Sequence, residues 1–451
     1  MITALAFVLT LGVLVVIHEY GHYRAAVACN VKVLRFSVGF GRVIWSRRLG
    51  RDGTEFVISA LPLGGYVRML DEREGPVDPA FVHRAFNRKR LGQRACIVAA
   101  GPVANLLLAV LLYSAVQWMG VQEPKAILSA PAPQSLSARA GLKSGDWVKA
   151  WSADGLDWQD LRSMADLRWQ AMDAALDGRA LHLMVTDRDG RGSRAVRLDT
   201  SSLGGAAGSP DLMRELGLGV PWTPPVLGEL KAGGPAERAG LLRGDRVTAV
   251  DGRAIPDAQT LRESIRQRPD QPMAWAVDRA GQSLAITVKP RAERAGSTTV
   301  GRIDAIVGTP PETVKVSLGP LEGLTEGVRK TWEVSALTVN MIGKMLVGEA
   351  SIRNLSGPLT IADFAGQSAQ KGWVSYLGFL ALISVSLGIL NLLPLPMLDG
   401  GHLMYYLFEG VTGRPVTDAW LERLQRGGIA VLLALMSVAL FNDVARLVGF
   451  H

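Results

Sequence analysis

"LGVLVVIHEYGHYRAA", residues 11–26, closes an aliphatic run with three polar side chains, His18, Glu19 and His22. Ionisable groups within or beside a membrane span are costly, and they usually mark a functional interior. His18-Glu19-Tyr20-Gly21-His22 fits the pattern H-E-x-x-H. On a helix, residues i and i+4 lie on one face a turn apart, so both imidazoles reach a single ion. Glu19, beside them, is placed to hold a water as general base rather than to bind the metal. A plain pair of interfacial histidines would leave Glu19 without a purpose.

A catalytic zinc takes three protein ligands and keeps one position open. Of the 6 histidines, His83 lies in a basic stretch, His182 in a long polar insert and His451 at the last position. His402 stands near Asp399 in "NLLPLPMLDGGH" (391–402), where Asn391, Pro394, Pro396, Gly400 and Gly401 interrupt a helix. Asp399 is the expected third ligand, completing a His18, His22 and Asp399 set for one zinc. His402 is its competitor, and helix capping is the plain alternative role for Asp399.

The 451 residues are 48% hydrophobic with a mean hydropathy of +0.19. Stretches 1–17, 95–122, 372–398 and 427–442 carry no charge. The middle two exceed the roughly 20 residues a bilayer requires, and the outer two need flanking positions. About four spans are therefore expected. Residues 1–17 have no Lys or Arg and no small-residue cleavage site before His18, so a retained span is expected rather than a signal peptide. Residues 24–94 hold 14 Lys/Arg against 6 Asp/Glu, and 403–426 add Arg414, Arg423 and Arg426. Positive loops face the cytosol, which places both termini outside. The net charge of +8 thus reflects membrane topology, and no nucleic-acid partner is implied. Cys29 and Cys96 suggest no disulfide framework.

Between the second and third spans lies an internal repeat. "RAGLKSGDWVKA" (139–150) and "RAGLLRGDRVTA" (238–249) are each followed by an Asp-Gly turn. The A-G-L-x-x-G-D pattern, with Gly141, Gly145, Gly240 and Gly244 at the turns, resembles the PDZ domain, which captures extended peptides at a sheet edge. An ordinary turn in another β-rich domain is the alternative. Residues 321–350 carry apolar side chains at helical spacing. "FSVGFG" (36–41) and "EFVISALPLGGYVRML" (55–70) are rich in strand formers. The second could form a hairpin dipping into the membrane surface.

The expected fold is a polytopic α-helical membrane protein with a membrane-associated β-hairpin and two PDZ-like β-rich domains on the outer face. Its segments are a first span with HEYGH (1–28), a cytosolic or re-entrant β loop (29–94), a second span (95–120), PDZ-like domains (121–220 and 221–310), an amphipathic helical segment (311–371), a third span with the LDG motif (372–402) and a fourth span (427–447).

The HEYGH sequence, "AAGPVANLLLA" (99–109), "NLSGP" (354–358) and the N-x-x-P-x-P-x-L-D-G motif together resemble the site-2 protease family of intramembrane metalloproteases. "FSVGFG" and "LPLGGYVRML" extend the resemblance to essentially the whole chain. It implies zinc on His18, His22 and Asp399, with Glu19 as general base. Asn391 would assist substrate binding with Pro394 and Pro396, and the hairpin, through Gly64, Gly65 and Tyr66, would hold substrate extended. Ser386 departs from the family, whose members often carry a second Asn there.

The implied substrate is a single-span membrane protein of the anti-sigma-factor type, trimmed beforehand, with remnant signal peptides as further candidates. Cleavage in the bacterial inner membrane would release a cytosolic fragment in an envelope stress response. The PDZ-like domains and both termini would be periplasmic, and the active site would lie toward the cytosol. A non-catalytic PDZ adaptor with a structural metal would not need Glu19. A zinc transporter would need further ionisable residues in 95–122 and 427–442, which have none.

Overall fold

The computed structural model describes residues 2–50, 52–201, 215–295, 298–347 and 357–448. Residues 354–356 of "NLSGP" lie outside them. The chain divides into two units, Met1–Val121 with Ser317–His451, and Gln122–Val316.

In the first unit, α1 (Ile2–Ala28), α2 (Leu91–Met119) and α5 (Trp373–Leu392) are long and apolar enough to cross a membrane. Each is apolar on all sides, as lipid contact on one face and helix packing on the other require. Where α1 meets α2, a Cβ on Gly21 would lie 2.3 Å from the Ala100 carbonyl oxygen, so only glycine lets the backbones approach this closely. Tyr376 ties α5 to α1 through its hydroxyl. Tyr376 on α5 donates its hydroxyl hydrogen to the Ala6 carbonyl at 3.0 Å, and its hydroxyl lies 3.0 Å from Thr10 Oγ1.

The segment expected as one broken span is two helices. α5 ends at Leu392, the chain turns through Pro394 and Pro396, and α6 (Asp399–Thr412) starts at the aspartate itself. Gly400 and Gly401, read as breakers, sit inside α6. A Cβ on them would lie 2.1 Å from the Leu393 and 2.4 Å from the Leu395 carbonyl oxygen, so they let the turn fold against the new helix. The expected fourth span lies within α7 (Asp418–Val448). Within the segment expected to be amphipathic helix (311–371), Thr313–Val316 is instead a strand, and the helices are α3 (Pro320–Leu346) and α4 (Pro358–Gln370). Asp443 of α7 accepts hydrogen bonds from the Gly357, Leu359 and Thr360 amides at 3.0, 2.9 and 3.2 Å, capping α4 from another helix.

Strands β1 (Val33–Leu49) and β2 (Thr54–Met69) form an antiparallel pair; β2 coincides with the 55–70 candidate, whereas β1 runs well beyond 36–41. Near its start, β1 meets two stretches of β2, with Ser37 opposite both Tyr66 and Val57. Val33, Phe36 and Ser37 are buried there, whereas Ile44 and Trp45 further out are exposed.

The second unit repeats itself in structure. One four-stranded sheet has the order 159–160, 147–152, 180–186, 194–199, and the other 253–254, 246–250, 273–279, 282–288. Gly141, Gly145, Gly240 and Gly244 have φ of +80°, +88°, +80° and +93°, which explains glycine at these four turn positions. In each repeat the aspartate of A-G-L-x-x-G-D accepts from a backbone amide and an arginine. Asp146 takes Lys143 N and Arg194, and Asp245 takes Leu242 N and Arg279.

Arg279, hydrogen-bonded to Asp245, holds that carboxyl below the usual carboxylate range. Its folded pKa is therefore below its unfolded value of about 3.9. The stability it contributes is present above that pH and is lost as pH falls through the folded value. Replacing Asp245 with Asn is expected to flatten this acid limb and lower melting near neutrality by about 3 °C or more, read by calorimetry on the full chain across pH 2–7.

Candidate metal centre

The metal-binding geometry begins with local helix periodicity. His18 and His22 are one turn apart on α1, both only 9% exposed. Asp399 opens α6, and the backbone just before it adopts a positive φ of +85° at Met397, a strained conformation for a residue with a side chain. The turn brings the carboxylate to the imidazoles. His18 Nε2 lies 3.1 Å and His22 Nε2 3.5 Å from Asp399 Oδ2, and the two nitrogens are 3.2 Å apart. Zinc–nitrogen and zinc–oxygen bonds of about 2.0–2.1 Å in a tetrahedron give ligand–ligand edges of about 3.3 Å. The three atoms already stand at that spacing, and two imidazoles with one carboxylate suit zinc. No other such group of three is found among the described residues.

His22 is oriented from behind. Its Nδ1 lies 2.8 Å from the Ile97 carbonyl oxygen, which only accepts, so Nδ1 carries the proton and Nε2 is left free to bind a metal. Gly101 supplies the space, since a Cβ there would lie 2.3 Å from His22 Nε2. Gly101→Val is therefore expected to push the ring out of place and weaken zinc retention at least about 10-fold, as loss of an orienting contact does. Chelator competition would measure it.

Glu19 stands outside the three-ligand set, against the strand. Its carboxylate hydrogen-bonds the Val67 backbone. A Cβ on Gly65 would lie 3.1 Å from Glu19 Cγ and 3.0 Å from Val15 Cγ1, so glycine lets β2 lie directly on α1. Gly64, at φ +144°, faces the Phe40 ring, and Tyr66 stacks on that ring at 6.1 Å. A cavity of about 820 Å³ opens beside the centre, lined among others by Glu19, His22, Asp399, His402, Arg94 and Glu409. Its wall is braced by the Arg94–Glu409 ion pair at 2.5 Å.

His402 lines this cavity and packs edge-on to Tyr405 at 5.9 Å, but it is not among the three converging ligand atoms. Asn391 lies in the last turn of α5 and is half-buried, Pro394 is exposed, and Pro396 packs against Gly428 of α7. None of these three lines the cavity. Ser386 donates to the Leu382 carbonyl within its own helix. Sequence reasoning missed Asn105, whose side chain meets His18. An amide midway along an otherwise apolar stretch, 97–112, was the available signal.

Residues 6–435 match the profile of Peptidase family M50. The chain is 44% identical over 465 residues to a candidate zinc metalloprotease of Ralstonia nicotianae, with 100% of both chains covered. It is 40% identical over 448 residues to the regulator of sigma-E protease RseP of Escherichia coli, and 40% over 452 residues to the regulator of sigma E protease of Salmonella typhi. Each alignment covers 98% of either chain. Apolar helices around an H-E-x-x-H site, together with this similarity, define an intramembrane zinc endopeptidase of regulated proteolysis. The chain belongs to peptidase family M50, the site-2 proteases.

Proposed function

We propose that His18, His22 and Asp399 hold one zinc per chain and that Glu19 is the general base for hydrolysis of a peptide bond inside a membrane span. The convergence of three ligand atoms at 3.1–3.5 Å beside an uncoordinated Glu19 carries this reading. When bound, zinc supplies a Lewis acid that brings the pKa of water toward neutrality. Glu19 takes a proton from the attacking water and returns it to the leaving amine. The Val67 backbone keeps its carboxylate aimed at the site. The cavity beside the ligands gives water a route to a centre that lipid otherwise excludes.

A helical substrate shields its peptide bonds, so it has to unwind before attack. The 64–69 stretch of β2 passes directly over Glu19 and offers backbone partners to an unwound chain, which supports edge pairing of the substrate at Gly64, Gly65 and Tyr66. Asn391 and the Pro394–Pro396 turn, next to Asp399 in the chain, assist in holding it. The two repeats of the second unit are PDZ-like domains that admit substrates already trimmed outside. α7 is the fourth span, in an inner-membrane topology with both termini and the PDZ-like domains periplasmic and the site toward the cytosol. The substrate is a single-span protein of the anti-sigma-factor type, with remnant signal peptides as a second class. An intact Glu19 disfavours the adaptor reading, because a structural metal does not need that residue.

The test uses purified protein in liposomes with a tagged single-span substrate, with and without its external domain. Mass spectrometry of the products is expected to place the cut within the apolar segment, for the trimmed form only. Tyr66→Pro is expected to lower this cleavage about 10-fold or more through lost positioning while zinc stays bound. Uncut trimmed substrate with zinc in place would favour the adaptor.

A further inference from the structure

Asn105 lies midway along α2, fully buried, in a stretch of helix with no charged residue. Its side-chain amide stands 3.2 Å from His18 Nδ1. On the same level, Ser384 of α5 donates to the Asn105 backbone carbonyl at 2.7 Å. Asn105 therefore sits where α1, α2 and α5 meet, and its position relative to His18 is fixed by both neighbours.

The proton count at His18 decides what the amide does. His18 turns Nε2 toward Asp399 and His22. A ligating nitrogen has no proton, so in the neutral ring the proton is on Nδ1, which must donate. His22 meets the same requirement with the Ile97 carbonyl. The group facing His18 Nδ1 is the Asn105 amide, whose oxygen and nitrogen are alike in size and whose orientation is assigned from its partners. With Nδ2 turned to the ring, a donor faces a donor, and Oδ1 is buried without a hydrogen-bond partner among the described residues. A half-turn of the amide removes both conflicts.

We propose that Asn105 is a positioning residue of the metal centre: its Oδ1 accepts the His18 Nδ1 proton and fixes the tautomer that leaves Nε2 free for zinc. The inference rests on the zinc-centre reading above. It assigns the two histidines matching supports from one helix, a backbone carbonyl for His22 and a side-chain carbonyl for His18. Such partners fix ring orientation and raise ligand basicity, and their loss typically weakens metal binding 10–100-fold.

Zinc dissociation constants by chelator competition, on the full chain in detergent, test it with four variants. Asn105→Ala and the nearly isosteric Asn105→Leu are expected to weaken zinc about 10–100-fold with unchanged melting of the metal-free protein. Asn105→Asp, which supplies an acceptor oxygen, should stay within about threefold of wild type because the support is restored. In ¹⁵N-histidine spectra of the zinc-loaded protein, His18 Nδ1 should carry the proton in wild type and in Asn105→Asp. Wild-type affinity in Asn105→Leu would reduce the residue to packing and overturn the proposal. Loss in Asn105→Asp equal to that in Asn105→Ala would overturn it too, by making the amide a donor. If Ala and Leu fail to fold, the Asp variant and the His18 spectrum still decide. Undiminished zinc in Asp399→Ala would instead show that the centre itself is misassigned.

Discussion

Glu19→Gln is expected to lower cleavage about 10²–10⁴-fold, the range for loss of a general acid–base, while bound zinc stays at the wild-type level. The separation follows from where Glu19 sits. The three ligand atoms that converge belong to His18, His22 and Asp399, and Glu19 is not among them. Its carboxylate is instead held by the Val67 backbone, and its stem packs on Gly65. Glutamine has the same shape and keeps an oxygen for that contact, so the strand and the ligands stay in place. It has no basic carboxylate to take a proton from water. Zinc lost together with activity would make Glu19 a ligand. Full activity in Glu19→Gln would remove it from the mechanism.

The second large effect separates Asp399 from His402. Asp399→Ala is expected to weaken zinc by more than about 100-fold, beyond what outer partners of ligands command, and to abolish cleavage. His402→Ala is expected to change zinc affinity less than about 10-fold, because His402 stands outside the coordinating set. The two lie three residues apart on α6, and only Asp399 Oδ2 comes within 3.1–3.5 Å of both imidazoles. His402 turns into the cavity against Tyr405. Zinc content of the two purified variants checks the assignment. A reversal of the two results would move the third ligand to His402.

These residues also show why part of the site was legible and part was not. His18 and His22 are joined by the period of a single helix, so sequence spacing alone places them together. Asp399 could be inferred because the prolines before it end a span near the level where α1 ends. Asn105 could not, because its role depends on which faces of α1 and α2 meet. That is set by Gly21 against Ala100 and Gly101 against His22, not by any local pattern. The start of α6 was misjudged for a related reason. Gly400 and Gly401 have poor helix propensity, yet their missing side chains make room for the Leu393 and Leu395 carbonyls. The twofold repeat in the second unit was readable, since its turn glycines and aspartates recur at one spacing. The length of β1 was not, because Gly39 and Gly41 of "FSVGFG" suit a turn, yet the strand continues to Leu49.

A zinc held by His18, His22 and Asp399 would sit between α1 and the start of α6. The measurement that bears on it most directly is a zinc-edge anomalous difference map from crystals of the purified full chain. One peak per chain is expected, at about 2.0–2.2 Å from His18 Nε2, His22 Nε2 and an Asp399 carboxylate oxygen, with Glu19 beyond bonding distance. A peak elsewhere, or one bonded to His402 or Glu19 in place of Asp399, would contradict it.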